Sequence, residues 1–241
     1  MKTKKIIHLL LILIFILFIV SLYNRIMHID DAWLGEYAYQ FSKYNYLKSD
    51  MLANWANYGN KLLIYHKLFI ITGSVFIKIF GFSLYVLKSI SLLFLIIFFI
   101  TVHSFLKKNY NIDFKKYLLF VGIYISVPIV IEHSYIYRPE TMLATIGFLS
   151  FYFLIDFIKT ESKNALIFSG ILTGMTILIH LNGLIYVIAN ILMILIFKRK
   201  IKYILLYNFI VLLIFLFYFF DFKNSEDFKL FIYQFKNDPA I

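Results

Sequence analysis

Long apolar segments separated by short charged clusters make up most of the chain, and this pattern is typical of membrane-spanning helices. The first segment, residues 6–23, follows a lysine-rich N-terminus and predicts an uncleaved first span. Six further segments are predicted to cross the bilayer, namely residues 86–106, 117–134, 141–158, 166–180, 184–197 and 203–220. The pattern therefore predicts an all-α fold, a polytopic transmembrane helix bundle of about seven spans.

Charge predicts the orientation of the bundle, because lysine and arginine accumulate on the cytoplasmic side of membrane proteins. The basic clusters within residues 107–116, 159–163 and 198–202 are therefore expected inside, with the N-terminus. Residues 62–80 are also apolar, but counting them as a crossing would place all three clusters outside. Because this segment carries His66, Lys67 and Lys78, we expect an interfacial or re-entrant helix. The single module of residues 1–241 then has an outer loop at 24–85, six further spans within 86–220 and an outer tail at 221–241.

Two adjacent carboxylates, Asp30 and Asp31, follow the first span at the outer edge of the bilayer. Such a pair is costly near lipid unless it is solvated, paired or used. Apolar and aromatic residues recur at helical spacing after it, so the sequence predicts a juxtamembrane helix. Asp30 is then expected as the N-cap, with Asp31 in the first turn, where the helix dipole favours acids. The spacing leaves open whether the pair only caps the helix or also performs chemistry.

Composition supports the membrane class and excludes several others. Hydrophobic residues are 62% of the 241 residues, whereas soluble domains are about 45–50% apolar. The net charge of +11 comes from clusters that orient spans, and it is not a nucleic-acid signature. The chain has no cysteine, which excludes disulfides. The sequence patterns of zinc proteases, nucleotide hydrolases and serine hydrolases are absent, so those enzyme classes lack support.

Polar residues gather at the outer membrane level of this topology. Besides the acidic pair they are Glu36, His66, Lys67, Glu132, His133, Arg138, Glu140, His180 and Asn182. Each has an ordinary structural role available: Glu140 follows Pro139 in a first helical turn, and Arg138 can anchor to lipid headgroups. The functional interpretation depends on their convergence at one level. Two adjacent carboxylates suit general-base work or the binding of a divalent metal.

The order of these motifs resembles the GT-C superfamily of polytopic membrane glycosyltransferases, especially its protein mannosyltransferase-like and lipid A aminoarabinose transferase-like branch. The motifs, in chain order, are Asp30-Asp31-Ala32-Trp33-Leu34-Gly35-Glu36-Tyr37-Ala38, His66-Lys67-Leu68-Phe69, Ile79-Phe80-Gly81, Lys88, Arg138-Pro139-Glu140, Gly170 with Gly174, His180-Leu181-Asn182-Gly183, and Glu226-Asp227-Phe228 with Phe231 and Gln234. The chain lacks the family's prolines after His66, and a lysine replaces its usual arginine at position 88. Family members continue beyond this length, so the resemblance implies an N-terminal module, with a C-terminal partner chain if the enzyme is split.

The resemblance implies an inverting glycosyltransferase that moves a sugar from a polyprenyl-phosphate-linked donor to a lipid, glycan or protein acceptor on the outer face. Asp30 and Asp31 are then the catalytic residues, and Lys67, Lys88 and Arg138 bind the donor phosphate. The other pocket residues that it implies are His66, Glu140, His180 and Asn182. Some family members use a divalent metal near the acidic pair, which Asp30 and Asp31 would hold, and no nucleotide cofactor is implied.

Two alternatives stay open at this point. A truncated, non-catalytic module would keep the fold but lose part of the pocket. A membrane transporter or lipid-carrier flippase would predict charged residues near the midplane and a paired repeat, and neither is apparent in the sequence. The expected location is a bacterial inner or plasma membrane, with the N-terminus cytoplasmic, the active face outside, the lipid bilayer as a partner and no nucleic acid.

Overall fold

The computed structural model describes residues 2–237, and this part of the chain is all-helical. In chain order the α-helices are α1 (Lys2–Tyr23), α2 (Ile29–Tyr44), α3 (Lys67–Phe80), α4 (Leu84–Tyr110), α5 (Phe114–Ile125), α6 (Pro128–His133), α7 (Glu140–Thr160), α8 (Lys163–Ile179), α9 (Leu184–Lys198), α10 (Ile201–Phe215) and α11 (Ser225–Asn237). Short 3-10 helices at Leu181–Gly183 and Leu216–Phe219 precede α9 and follow α10. The predicted all-α fold class is confirmed for the described residues.

Four helices of the described chain are long and apolar enough to cross a membrane. They are Leu84–Tyr110, Glu140–Thr160, Leu181–Lys198 and Ile201–Phe219. Two shorter apolar helices, Leu9–Leu22 and Lys163–Ile179, have a suitable composition but fewer residues. Helix length and hydropathy therefore support a membrane protein with four candidate spans, and they do not establish the predicted count of seven.

The predicted span at residues 117–134 is two helices rather than one. The first, α5, ends at Ile125, and α6 begins at Pro128 after an extended Val127. Proline lacks a backbone N–H and disfavours a helical residue before it, so the helical hydrogen bonds are interrupted here. The predicted span is therefore broken at this point. The Arg25 side chain, between α1 and α2, donates to the carbonyl oxygens of Ile131 and Glu132 near the end of α6.

The apolar segment at residues 62–80 is helical only from Lys67 onward, in the 14-residue α3. This helix is not among the four candidate spans, as expected for an interfacial element. Its buried face packs on α2, and Gly73 leaves room for two neighbours, because a Cβ there would overlap the Tyr137 hydroxyl and lie 3.0 Å from the Cβ of Ala38 on α2. Helices α2 and α3 and the segment before α7 are therefore fixed relative to one another.

The predicted Gly-x-x-x-Gly segment lies where α8 packs on α10. A Cβ at Gly174 would lie 2.5 Å from the Cβ of Ile214, so only glycine allows this separation without a shift. Next to this contact the buried Asn190 amide donates to the Thr173 and Tyr207 hydroxyls, at 3.0 and 2.9 Å. These polar groups satisfy one another inside the helical bundle, as buried groups at membrane depth must.

Candidate functional site

A cavity of about 560 Å³ lies between α2, the loop of residues 45–66, the ends of α7 and α8 that face this loop, and the 3-10 helix after α10. This volume is within the range of ordinary small-molecule sites, which is about 300–1,000 Å³. Aromatic residues supply much of the wall, namely Trp33, Tyr37, Trp55, Tyr58, Tyr65 and Tyr218. The charged and imidazole side chains in the wall are Asp30, His66, Arg138, Glu140 and His180. These five are sequence-predicted site residues, and the structure brings them together.

Helix α2 begins two residues earlier than predicted, which changes the roles of the two aspartates. His28 is the N-cap, and its Nδ1 accepts from the Asp30 N–H at 3.3 Å. The Asp31 carboxylate reaches back to accept from the His28 N–H at 2.8 Å, which completes a capping box. The expectation that Asp30 is the N-cap is therefore wrong. Because His28 and Asp31 cap the helix, the Asp30 carboxylate is available to the cavity.

The Asp30 carboxylate contacts two donors in the cavity wall. Its Oδ1 accepts from the Trp33 indole Nε1 at 2.8 Å, and its Oδ2 lies 3.2 Å from Arg138 Nε. The side chain is 15% exposed, so it is positioned but still accessible from the cavity. Trp33 lies one helical turn after Asp30 and holds its orientation, which helps a carboxylate that must meet a substrate in one geometry.

The Arg138 guanidinium bridges two carboxylates. Its Nη2 and Nε lie 2.5 and 3.2 Å from the two oxygens of Glu140, in addition to the contact with Asp30. Pro139 is the N-cap of α7, so Glu140 occupies its first turn, where the dipole favours an acid. Arg138 is about one-third exposed, at 32%, and can therefore present remaining donors to a ligand in the cavity.

Two histidines stack against each other in the cavity wall. The ring centroids of His66 and His180 are 4.6 Å apart, with 18° between the ring planes. Burial, together with smaller effects of the neighbouring His180 and Arg138, lowers the pKa of His66 to about 3, so His66 is neutral near pH 7. His180 Nδ1 accepts from the Asn182 N–H at 3.0 Å, which places the proton of a neutral ring on Nε2. The pair can therefore offer uncharged hydrogen-bonding groups to a ligand.

Asp31 and Lys88 lie outside the cavity and pair with each other. The Lys88 Nζ is 3.1 Å from Asp31 Oδ2, and Asp31 is fully buried. Asp31 Oδ1 also accepts from the Tyr137 N–H at 2.7 Å, while Lys88 donates to the Ile26 carbonyl oxygen at 3.1 Å. The structure thus gives these predicted catalytic and phosphate-binding residues structural partners.

The positions of Asp30 and Asp31 determine whether the pair can hold the divalent metal that the resemblance implies. Asp30 faces the cavity whereas the neighbouring Asp31 is buried against Lys88, so the two carboxylates do not converge on one position. No group of three or more His, Cys, Asp or Glu side chains that could hold a metal ion occurs within residues 2–237. The residues therefore do not fit a metal held jointly by the acidic pair.

Lys67 is likewise bound elsewhere. Its Nζ lies 2.9 Å from both carboxylate oxygens of Asp221, and the Tyr65 hydroxyl donates to the same carboxylate at 2.9 Å. Burial lowers the pKa of Lys67 to about 8, and the nearby Asp221 opposes this shift. The amine is 1% exposed and does not line the cavity, and Asn182 is exposed outside it. Asp221 thus ties the start of α3 to the segment after α10.

Two further residues hold the loop that covers the cavity, and sequence reasoning gave neither of them this role. Glu36 accepts from the backbone N–H groups of Asp50 and Met51, at 2.6 and 3.1 Å. Gln234, on α11, accepts from the Leu63 N–H at 2.9 Å and donates to the Lys61 carbonyl at 2.6 Å. The sequence shows Gln234 as an amide within an amphipathic helix. It does not show which loop this amide binds, because the loop is distant in the chain.

Comparison with known proteins gives no match: no family model, no curated protein and no solved structure matches this chain. The chemistry that the cavity can perform therefore follows from its own geometry. The geometry offers an oriented carboxylate, a guanidinium beside it, a pair of neutral imidazoles and aromatic walls.

Proposed function

We propose that the protein is an inverting glycosyltransferase, which moves a sugar from a polyprenyl-phosphate-linked donor to an acceptor hydroxyl at the outer face of the membrane. The observation that carries the proposal is the contact of Asp30 with Arg138 in the cavity wall, at 3.2 Å. A carboxylate that can accept a proton therefore stands beside a guanidinium that can hold a phosphate. Sugar transfer from a phosphate-linked donor needs a proton-accepting carboxylate and a phosphate-binding cation, both within the length of one donor molecule.

In the proposed step the acceptor oxygen forms a bond to the anomeric carbon while its proton passes to the Asp30 carboxylate. The bond between the anomeric carbon and the phosphate oxygen breaks, and its electron pair leaves with the phosphate. Arg138 stabilises the charge of that leaving group, because a guanidinium can donate two parallel hydrogen bonds to phosphate oxygens. Attack from the face opposite the phosphate gives inversion.

The walls of the cavity support a lipid-linked donor rather than a nucleotide sugar. Six aromatic side chains line it beside aliphatic residues such as Leu34 and Ile177, and such surfaces accept isoprenoid and sugar faces. The loop of residues 45–66 contributes Met51, Leu52 and Ile64 to these apolar walls. Asp31, Lys67 and Lys88 are not given catalytic or phosphate-binding roles in this proposal, because each is buried against a partner.

The proposal places the cavity on the outer face of the membrane. It takes seven crossings of the bilayer, in which α5 and α6 together form one crossing and the other six are α1, α4, α7, α8, α9 and α10. The C-terminal ends of α4, α7 and α9 carry basic residues, and the cavity lies near the start of α7. At the basic end the chain forms the ion pairs Lys108–Asp156 and Lys198–Glu161. Basic ends face the cytoplasm, so the cavity and the start of α2 face outward.

The test is donor turnover by the purified protein in lipid nanodiscs. Labelled polyprenyl-phosphate sugars are supplied with a bacterial lipid and glycan extract as the acceptor source, and released polyprenyl phosphate is measured. Asp30→Asn should lower turnover by about 10²–10⁴-fold, the usual loss for a general base, without changing the thermal unfolding midpoint. Asp113→Asn is the matched control, since Asp113 caps α5 far from the cavity.

Two results would count against the proposal. Absence of turnover by the wild-type protein with every polyprenyl-phosphate sugar would remove the activity. Equal turnover by Asp30→Asn and Asp113→Asn would leave Asp30 without a role in proton transfer.

A further inference from the structure

A second, smaller cavity lies on the other side of Glu140, between α4, α5, α6 and the first turns of α7. Its volume is about 210 Å³, several times the roughly 30 Å³ that one water molecule occupies in the liquid. Apolar side chains form most of the wall, including Leu95, Phe98, Ile129 and Val130. Glu140 lines both this cavity and the larger one, so its carboxylate stands between them.

One buried nitrogen in the second cavity lacks a hydrogen-bond partner among the described residues, and it is Nδ1 of His133. The carboxylate oxygen Oε2 of Glu140 is 3.9 Å away, beyond hydrogen-bond length. The hydroxyls of Ser134, Thr141 and Thr145 already donate to backbone carbonyl oxygens. Buried polar groups are normally paired, so the His133 nitrogen calls for a ligand atom in this cavity.

The spacing of these two atoms suits one hydroxyl group. An oxygen placed about 2.8 Å from each atom can bridge a gap of 3.9 Å, donating to the carboxylate and accepting from an Nδ1–H. A phosphate in the second cavity would face the Glu140 carboxylate with no arginine or lysine among the described residues of the wall, and a hydrocarbon would leave the His133 nitrogen unpaired. The apolar walls in turn match a hydrocarbon chain attached to the hydroxyl.

We propose that the second cavity binds the hydroxyl headgroup of an uncharged membrane lipid, a long-chain alcohol, between His133 and Glu140. The site lies between candidate spans α4 and α7, where such a lipid arrives from the bilayer. The same carboxylate of Glu140 holds Arg138 in the larger cavity, so the occupants of the two cavities share one side chain. This inference concerns a separate site and does not rest on the proposed sugar transfer.

The experiment uses photoreactive probes with the full chain in phosphatidylcholine nanodiscs. Hexadecanol carrying a diazirine in its chain is compared with a hexadecane carrying the same group, and the labelled peptides are mapped by mass spectrometry. The alcohol should label peptides of α6 and the start of α7 about tenfold more than the alkane, because only the hydroxyl pairs buried polar groups. His133→Phe should lower alcohol labelling to the alkane level, whereas His103→Phe, a histidine of α4 outside this cavity, should not.

A second variant fills the space without touching the polar groups. Ala144 lines the cavity, and Ala144→Phe should abolish labelling of these peptides by both probes. Equal labelling by alcohol and alkane would overturn the hydroxyl site, and so would unchanged labelling in His133→Phe. If neither probe labels these peptides, the cavity holds only water and the proposal fails. A thermal unfolding transition of each variant establishes that it is folded. If His133→Phe does not fold, the labelling of Ala144→Phe tests the proposal in its place.

Discussion

Asp31 and Lys88 form a buried ion pair that ties the start of α2 to the first turns of α4. Their charged atoms are 3.1 Å apart, and the two side chains are 0% and 5% exposed. The backbone of His28 and Tyr137 also donates to Asp31, so three parts of the chain meet at one carboxylate. The preceding residue, Asp30, faces the cavity, and this dipeptide therefore serves the fold and the candidate site at once.

The first prediction concerns this pair. Asp31→Asn and Lys88→Met should each destabilise the protein by about 3–5 kcal/mol, because each leaves the other charge buried without its partner. The free energy of unfolding is measured by chemical denaturation in detergent micelles. Lys108→Met is the matched control, since Lys108 is 52% exposed beside Asp156 and such a pair contributes about 0–1 kcal/mol.

A double variant separates the pair from its surroundings. Asp31→Asn with Lys88→Met removes both charges, so its loss should be smaller than the sum of the single losses. Additive losses would mean that the two residues do not interact, and a loss of less than about 1 kcal/mol in Lys88→Met would place Lys88 in a solvated position.

The sequence was informative wherever local chemistry decides the structure. Apolar periodicity and the acidic pair predicted a helix after the first span, and α2 occupies Ile29–Tyr44. Pro139 also lies where its chemistry predicted, at a helix start, as the N-cap of α7. The local sequence pattern specifies which face of a helix is apolar and where a helix can begin. These features can be predicted without knowing which other parts of the chain the helix contacts.

Long-range pairing was not predictable from the sequence. Lys67 and Asp221 are 154 positions apart, and no periodicity indicates that one will neutralise the other. Lys67 and Lys88 were therefore predicted to bind phosphate, whereas the structure shows both of them buried in ion pairs. Asp30 was misplaced by two positions in its helix because a histidine N-cap is less common than an aspartate one. The cavity itself depends on the loop of residues 45–66, which α11 holds through Gln234.

The second prediction concerns topology and uses a chain that has no native cysteine. Single cysteines at Asn60 and Asn182 should react with a membrane-impermeant thiol reagent added outside intact cells. Cysteines at Lys116 and Lys163 should react only after the membrane is opened. All four side chains are exposed, so differences in labelling report the side of the membrane. Outside labelling at Lys116 would place the basic helix ends outside, and the cavity, in which Asp30 and Arg138 meet, would then face the cytoplasm.

The third prediction follows from the lowered pKa of His66, which is about 3 in the folded protein. An unfolded histidine has a pKa near 6.5, so between these values the unfolded chain binds the additional proton. Stability should therefore fall as pH falls below about 6.5, by up to roughly 1.4 kcal/mol per pH unit from this residue. Thermal unfolding midpoints between pH 7.5 and 5 should decline less in His66→Gln than in the wild type. If His103→Gln protects equally, or His66→Gln does not protect, the neutral buried imidazole is contradicted.

The fourth prediction concerns the donor phosphate at Arg138. A guanidinium can donate two parallel bonds to phosphate, whereas a lysine ammonium acts as a point charge, so the two are not interchangeable here. Arg138→Lys should weaken binding of a polyprenyl phosphate about tenfold, and Arg138→Ala by up to about a hundredfold, since hydrogen bonds to charged groups contribute about 1.5–3 kcal/mol. A residue that only anchored to anionic headgroups would tolerate lysine, because either cation contributes about 1 kcal/mol.

The measurement of that binding can use the protein's own fluorescence. The chain has two tryptophans, Trp33 and Trp55, and both line the larger cavity. Titration of a polyprenyl phosphate into nanodiscs should therefore change the tryptophan emission of the wild type, with weaker binding in both Arg138 variants. Arg199→Lys, at the exposed end of α9, controls for a general change in basic charge. Indistinguishable curves for the wild type and both Arg138 variants would show that the guanidinium does not bind the phosphate. Lys67 and Lys88 are already paired with Asp221 and Asp31. The phosphate would then depend on hydrogen bonds from the two neutral histidines of the cavity, His66 and His180.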